Sequence, residues 1–228
     1  NSTAPEQDIE LGPGVGDIFA GMKMAFAVLA AVRKAEQTGK GQFVDIAMYD
    51  AMISLCERIV YQYDIEGVIP RPAGNGHPLL APFGLFPAAD GFVSIGVVDD
   101  AFWRALCAAM ERSDLAGDLR LATKDGRRTH MHEVNGIVAD WTRQRTKAEL
   151  AALLGGKLPF GPVNDVRDIF DDPHVAVRGM IATVPHPEPG ARPFRVAANP
   201  VKFAADPAPP PEAAPRLGEH NARYLGKS

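Results

Sequence analysis

The sequence predicts an α/β fold in which a helical segment, a linker, a small mixed unit and an extended return follow one another. Three observations predict it. Stretches with apolar residues at helical spacing are interspersed with short stretches of β-like pattern. Between residues 64 and 82, Pro70, Pro72, Gly74, Gly76, Pro78 and Pro82 crowd together, the composition of a linker or extended loop. From Pro200 onward the chain is rich in Pro and Ala, which makes a semi-rigid, extended connection.

Residues 1–13 carry no periodic pattern and read as an arm. Gly14, Val15, Gly16 and Asp17 then open an apolar run over residues 18–32. Asp17 reads as its N-cap, because a carboxylate accepts hydrogen bonds from the free amides of a first turn. The helix is expected to end near Arg33 and Lys34, whose charges suit a C-terminus, with Thr38-Gly39-Lys40-Gly41 as stop and turn. Residues 42–46 alternate polar and apolar and predict a short strand. A second helix is predicted over residues 48–61, with Met52, Leu55, Cys56 and Ile59 on one face.

Beyond the linker, the Asp90-Gly91 turn leads into a strand over residues 92–97. Asp100 is expected to cap a helix through Met110, with Phe102, Trp103, Leu106 and Cys107 inward. Helices follow near 130–145 and 146–154, the second opened by the capping-box spacing of Thr146 and Glu149. Asn164 is the expected N-cap of a short helix through Phe170, which Asp171-Asp172-Pro173 ends. Residues 181–184 and 194–196 predict the strands of a closing hairpin.

Composition narrows the function. The chain has 228 residues, 46% apolar and 23% charged, enough for one large or two small domains with a real core. Its net charge is −4, its pI about 5.9, and no basic stripe stands out, so no nucleic-acid partner is expected. Cys56 and Cys107 lie in separate helical stretches, which fits a reducing compartment, the cytoplasm, and not a disulfide scaffold. The polar, acidic N-terminus is no secretory signal, and a start without Met reads as a processed or truncated product. The run over 18–32, interrupted by Gly21 and Lys23, is too short to span a bilayer; it predicts a buried helix and no membrane partner. The helices over 14–62 have large apolar faces without a partner in the remaining sequence, which calls for a missing segment or a second chain. His130 and His132 face different ways on one helix, and no metal site is expected.

A set of phrases runs through the chain in order. Gly16-Asp17-Ile18-Phe19-Ala20-Gly21 enters the apolar helix, followed by Thr38-Gly39-Lys40-Gly41-Gln42, Val44-Asp45 and Ala47-Met48-Tyr49-Asp50. Gly74-Asn75-Gly76-His77-Pro78, Ala81-Pro82-Phe83-Gly84 and Ala89-Asp90-Gly91 come next. Gly161-Pro162-Val163-Asn164, Asp172-Pro173-His174, Arg178-Gly179-Met180 and Leu217-Gly218-Glu219-His220 complete the set. Taken together these resemble the C-terminal half of the family III CoA-transferases, the CaiB/BaiF family, which includes formyl-CoA transferase and the alpha-methylacyl-CoA racemases.

The resemblance implies the C-terminal part of a two-domain α/β fold in an interlocked homodimer. Residues 1–63 would be the helical end of the large domain, 64–82 the linker and glycine loop, 83–180 the small α/β domain, and 181–228 the return to the large domain. The N-terminal half, with most coenzyme A contacts, would lie outside this sequence. The implied substrates are acyl-CoA and carboxylic acids, with coenzyme A thioester as substrate and no tightly bound cofactor.

The resemblance places the catalytic nucleophile at Asp17, which would attack the thioester and carry coenzyme A as an aspartyl thioester; read by its chemistry alone, the same residue is an ordinary helix cap. Gly74, Asn75, Gly76 and His77 match a mobile glycine loop over the active site, whose amides would hold substrate oxygens; the plain alternative is a linker turn. Asp99 stands near where the racemases carry a glutamate that supports an acid/base histidine; the plain alternative is a capping residue. Two further functions stay open: an acyl-CoA racemase or isomerase of the same fold, which the same phrases allow, and a non-catalytic assembly module, since most of the implied coenzyme A site would lie outside this sequence.

Overall fold

The structure, a computed structural model, describes residues 13–226 except 57, 72, 73, 189 and 208. The arm read at the N-terminus therefore lies, up to residue 12, outside the described residues. Contacts divide the chain into two compact units, residues 1–161 and 162–228.

The first unit opens with α1 (Val15–Thr38), whose N-cap is Gly14 and not Asp17. Asp17 is the third residue of the first turn and makes no capping bond. At the other end the helix passes Arg33 and Lys34 and stops only where Gly39 takes the left-handed conformation, φ 69°, its N–H donating to Ala35 O at 2.8 Å. Ala35 to Thr38 are compatible with helix, so the stop is set by the glycine that relieves the Cβ clash and not by the basic pair. The resulting 24-residue helix is long and apolar enough to pass a length-and-composition test for a membrane span, which the shorter predicted run did not suggest.

Residues 42–46 form no strand. An extended segment becomes a strand only against a neighbour, and Phe43 here lies 92% exposed. The helix expected over 48–61 is broken into α2 (Met48–Leu55) and α3 (Arg58–Glu66). Near the break Ser54 Oγ donates to Ala51 O at 2.7 Å and Cys56 Sγ to Met52 O at 3.4 Å. Such back-bonds compete with the helical ladder and bend it. Helix α2 packs on α1, and each has a single buried residue, Ala51 and Ala20.

The sheet of the first unit has the order β1-β2-β3. Strands β1 (Phe83–Ala88) and β2 (Gly91–Gly96) pair antiparallel, Phe83 opposite Gly96, across the tight turn at Ala89 and Asp90. β1 is absent from the sequence expectation because Gly84 and Pro87 interrupt its pattern. β3 (Phe160–Pro162) completes the sheet. Helix α4 (Asp100–Ala109) is capped by Asp99, as the plain reading of that residue has it, and not by Asp100: the Asp99 carboxylate accepts from Phe102 N–H at 2.8 Å. Trp103, Leu106 and Cys107 point inward as predicted, and Phe102 packs at the margin. Two short helices unseen in the sequence, α5 (Ser113–Gly117) and α6 (Lys124–Thr129), precede α7 (Met131–Thr142) and α8 (Lys147–Leu154). The capping box of Thr146 and Glu149 forms as expected. Val93, Ile95, Val97, Trp103, Leu106, Val134, Val138, Leu150 and Leu154 make one buried core.

In the second unit, α9 (Val166–Asp171) is capped by Asp165, not Asn164, in a reciprocal box with Asp168. Both carboxylates lie three residues apart and reach each other's backbone N–H, which an Asn one position earlier cannot do. Asp172 caps a further short helix, α10 (Pro173–Val177), so the Asp171-Asp172-Pro173 phrase both ends one helix and starts the next. The predicted hairpin forms from β4 (Ile181–Val184) and β5 (Phe194–Ala197). The described residues beyond β5 are irregular up to α11 (Asn221–Leu225).

Candidate active site

The carboxylate of Asp17 is exposed and, among the described residues, takes part in no hydrogen bond or ion pair. It stands in the first turn of a long helix, where unpaired amides and the helix dipole favour a negative charge. Gly14 lies beside it. A Cβ at Gly14 would lie 2.8 Å from Asp17 Oδ2, which would have to turn aside, and 3.6 Å from its Cγ, an ordinary contact. Gly16 faces elsewhere: a Cβ there would meet Met52 Sδ on α2 at 3.8 Å, an ordinary contact. The Gly-x-Gly-Asp spacing thus puts one glycine beside the carboxylate and one beside α2.

Asn75, Gly76 and His77 lie against β1. Leu85 N–H donates to Asn75 O at 3.0 Å, His77 N–H donates to Phe83 O at 2.9 Å, and Gly76 bridges to Gly84. Gly74 makes the preceding turn at φ 63°. The His77 ring leans on Phe83, with centroids 5.0 Å apart and planes at 58°. Its Nδ1 accepts from Leu79 N–H at 3.0 Å. Burial, and after it the positive charge of Arg58 on α3, lower the His77 pKa below its ordinary 6.5.

Asp99 is taken up by its capping bond to Phe102. Among the described residues no hydrogen bond joins Asp17, the segment 74–77 and Asp99; the fold brings Asn75, Gly76 and His77 together on β1 and leaves the two aspartates in their own local settings. Cys107 is fully buried on α4 and its pKa is pushed up to about 11, chiefly by burial, so the thiol is inert at neutral pH. Among the described residues no three His, Cys, Asp or Glu side chains gather as metal ligands.

Sequence reasoning missed Gly84, whose role shows only in the pairing of β1 with the loop, and Arg58, whose positive charge acts on His77. It also missed Arg127. This side chain is fully buried and donates to Asp100 Oδ1 at 2.9 Å, Leu121 O at 3.0 Å and Ala81 O at 3.3 Å. No sequence pattern marks it, because its acceptors lie up to 46 residues away.

The sequence profile of CoA-transferase family III matches residues 1–221. The succinyl-CoA:mesaconate CoA-transferase of Haloarcula hispanica is 44% identical over 225 residues, covering 96% of this chain and 54% of that protein. The succinate–glutarate CoA-transferase of Agrobacterium fabrum is 32% identical over 227 residues, covering 97% and 55%. A CaiB/BaiF family protein from Brucella suis superimposes with a TM-score of 0.76 at 28% identity, covering 99% of this chain and 58% of that one. The chain spans about half the length of the curated relatives it matches.

Proposed function

The chain belongs to CoA-transferase family III, and on that premise we propose that its protein moves coenzyme A between carboxylic acids with Asp17 as the covalent nucleophile. The observation that carries the reading is the Asp17 carboxylate itself, exposed in a helical first turn, unpaired among the described residues, and flanked by Gly14.

A carboxylate oxygen of Asp17 attacks the thioester carbonyl; a C–O bond forms, the C–S bond breaks, and coenzyme A leaves as thiolate. The thiolate attacks the aspartyl carbonyl of this mixed anhydride, releases the donor acid and leaves an aspartyl-CoA thioester. The acceptor carboxylate attacks that thioester and expels the thiolate again. Attack of the thiolate on the acceptor's acyl carbon gives the new acyl-CoA and restores Asp17. No oxidant or proton donor is needed, since each step exchanges one acyl bond for another. Succinyl-CoA, mesaconate and glutarate in the relatives' names support dicarboxylic acids as the substrates. Segment 74–77 would supply amide and imidazole donors to their oxygens.

The whole enzyme is read as a cytoplasmic, interlocked homodimer, with residues 83–180 as its small domain. The exposed apolar side chains of α1, among them Ile18, Met22, Phe26 and Leu29, support a protein cover, and Lys23 in mid-helix sits poorly with a bilayer. Coenzyme A enters as substrate.

The test is chemical trapping in the complete protein. Succinyl-CoA followed by hydroxylamine or borohydride should mark Asp17, and Asp17→Ala should lose transfer by at least about a thousandfold while remaining folded. Turnover retained in a folded Asp17→Ala variant would refute the mechanism. A racemase would instead exchange the alpha-hydrogen of a chiral 2-methylacyl-CoA, and the commitment of Asp99 to its cap gives that chemistry no support.

A further inference from the structure

The segment over residues 74–77 is held by constraints that a freely moving loop lacks. Its backbone makes two cross-strand bonds to β1, from His77 N–H to Phe83 O and from Leu85 N–H to Asn75 O. Between them Gly76 bridges to Gly84. Gly84 adopts φ 155°, and a Cβ there would stand 2.2 Å from Asn75 O and 3.0 Å from Gly76 Cα. Only glycine permits this approach, so Gly84 is what lets the segment lie down on the strand.

The same clamp sets the imidazole. Phe83, the residue before Gly84, supports the His77 ring from the strand, and two residues on, Leu79 N–H fills Nδ1. A ring whose Nδ1 accepts a hydrogen bond carries its proton on Nε2. Nε2 has no partner among the described residues.

We propose that residues 74–77 form a fixed ledge, clamped to β1 across Gly84, which presents His77 Nε2–H as a neutral hydrogen-bond donor to an oxygen of the carboxylic acid substrate. Only the identity of the acceptor rests on the coenzyme A transfer reading; the ledge and the tautomer do not. The chemistry suits a neutral donor. An N–H without a positive charge orients a carboxylate and leaves its oxygens nucleophilic, whereas an imidazolium competes to protonate or ion-pair it. The lowered pKa of His77, from burial first and Arg58 second, agrees with a neutral ring at neutral pH.

The experiment uses the complete protein labelled with nitrogen-15 in histidine, with the His77→Gln spectrum identifying the His77 signals. At pH 7 the Nε2–H tautomer is expected, and titration with succinate should shift the Nε2 signal. The opposite tautomer, an imidazolium, or a signal unmoved at saturating succinate would each overturn the proposal. Gly84→Ala should release the ring into mixed tautomers; an unchanged tautomer in that variant counts against the clamp. In turnover assays His77→Phe, which keeps a ring and removes the donor, should raise the KM for the acceptor acid about tenfold or more. His77→Gln, whose amide nitrogen reaches the place of Nε2, should recover most of that loss. If the complete protein transfers no coenzyme A, the functional reading falls by itself, and the tautomer and the succinate shift still decide the ledge.

Discussion

From Ala81 to Leu158 the chain turns most of its large apolar side chains inward, around Trp103, Leu106, Val134 and Leu150, each 1% exposed or less. From Val15 to Ile69 it turns them outward: Phe26 is 75% exposed, Leu29 68%, Tyr49 76% and Ile65 77%. The contrast lies in what the helices face. In the small unit α7 packs on β1, α8 on β2, and α4 on α5 and α8, so each apolar stripe has a sheet or helix against it. In the helical segment α1 packs on α2, and among its described residues Ala20 alone is buried. A helix apolar on most sides needs cover on most sides, so one region is a finished core and the other an unfinished one.

If that is right, the finished region is where substitutions cost most. Trp103→Ala empties a fully enclosed site beneath Arg127 and should destabilise the chain by about 4 kcal/mol, read as a lowered urea midpoint with an unchanged slope. A loss under about 1 kcal/mol would mean that the small unit is loosely packed, and the comparison would break there. Arg127→Met comes next. It strands the carbonyls of Ala81 and Leu121 and leaves Asp100 unpaired; because Asp100 keeps partial access to water, the expected cost is about 3 kcal/mol and not the upper end for a buried pair. Little change in unfolding would show that the guanidinium is dispensable glue.

What the sequence disclosed follows the same division. Elements fixed by neighbours in sequence were legible: the inward face of α4, the capping box of α8, and the β4–β5 hairpin all formed as read. Caps were legible to within a residue: that of α4 fell on Asp99, as the plain reading of that residue had it, over its neighbour Asp100, and that of α9 on Asp165 over the expected Asn164, since backbone geometry and not residue type selects the capping position. Elements that depend on distant partners were not legible. Residues 42–46 have a strand's pattern and no strand to pair with, β1 has a strand's partner and an interrupted pattern, and Arg127 is defined by carbonyls far away in sequence. The candidate site divides likewise. Asp17 and the segment 74–77 were found through the order of the family's phrases, while the placing of Gly14 beside the carboxylate and the clamp at Gly84 needed coordinates.

Asp99 allows a smaller and sharper test. Asp99→Ala removes one cap and should cost about 1 kcal/mol of the small unit's stability, with Asp99→Asn recovering most of it, because an amide oxygen accepts the Phe102 bond equally well. Catalysis in the complete protein should follow stability in both variants. Activity lost in Asp99→Asn, with the unfolding midpoint intact, would give the carboxylate a chemical role that its capping geometry does not suggest.

The smallest effect is expected where the apolar surface is largest. In the 228-residue chain Phe26 has little to lose, so Phe26→Ser should change the unfolding free energy by less than about 0.5 kcal/mol, as for an ordinary surface substitution. In the complete protein the proposed cover would bury the same ring, and the same substitution should then cost about 3 kcal/mol or weaken assembly by a comparable amount. Urea unfolding of the two proteins side by side measures the difference. Equal, small effects in both would leave α1 uncovered in the complete protein and remove the reason for reading this helix as one face of a larger core. Equal, large effects would mean that the ring is already enclosed in the chain, against its 75% exposure.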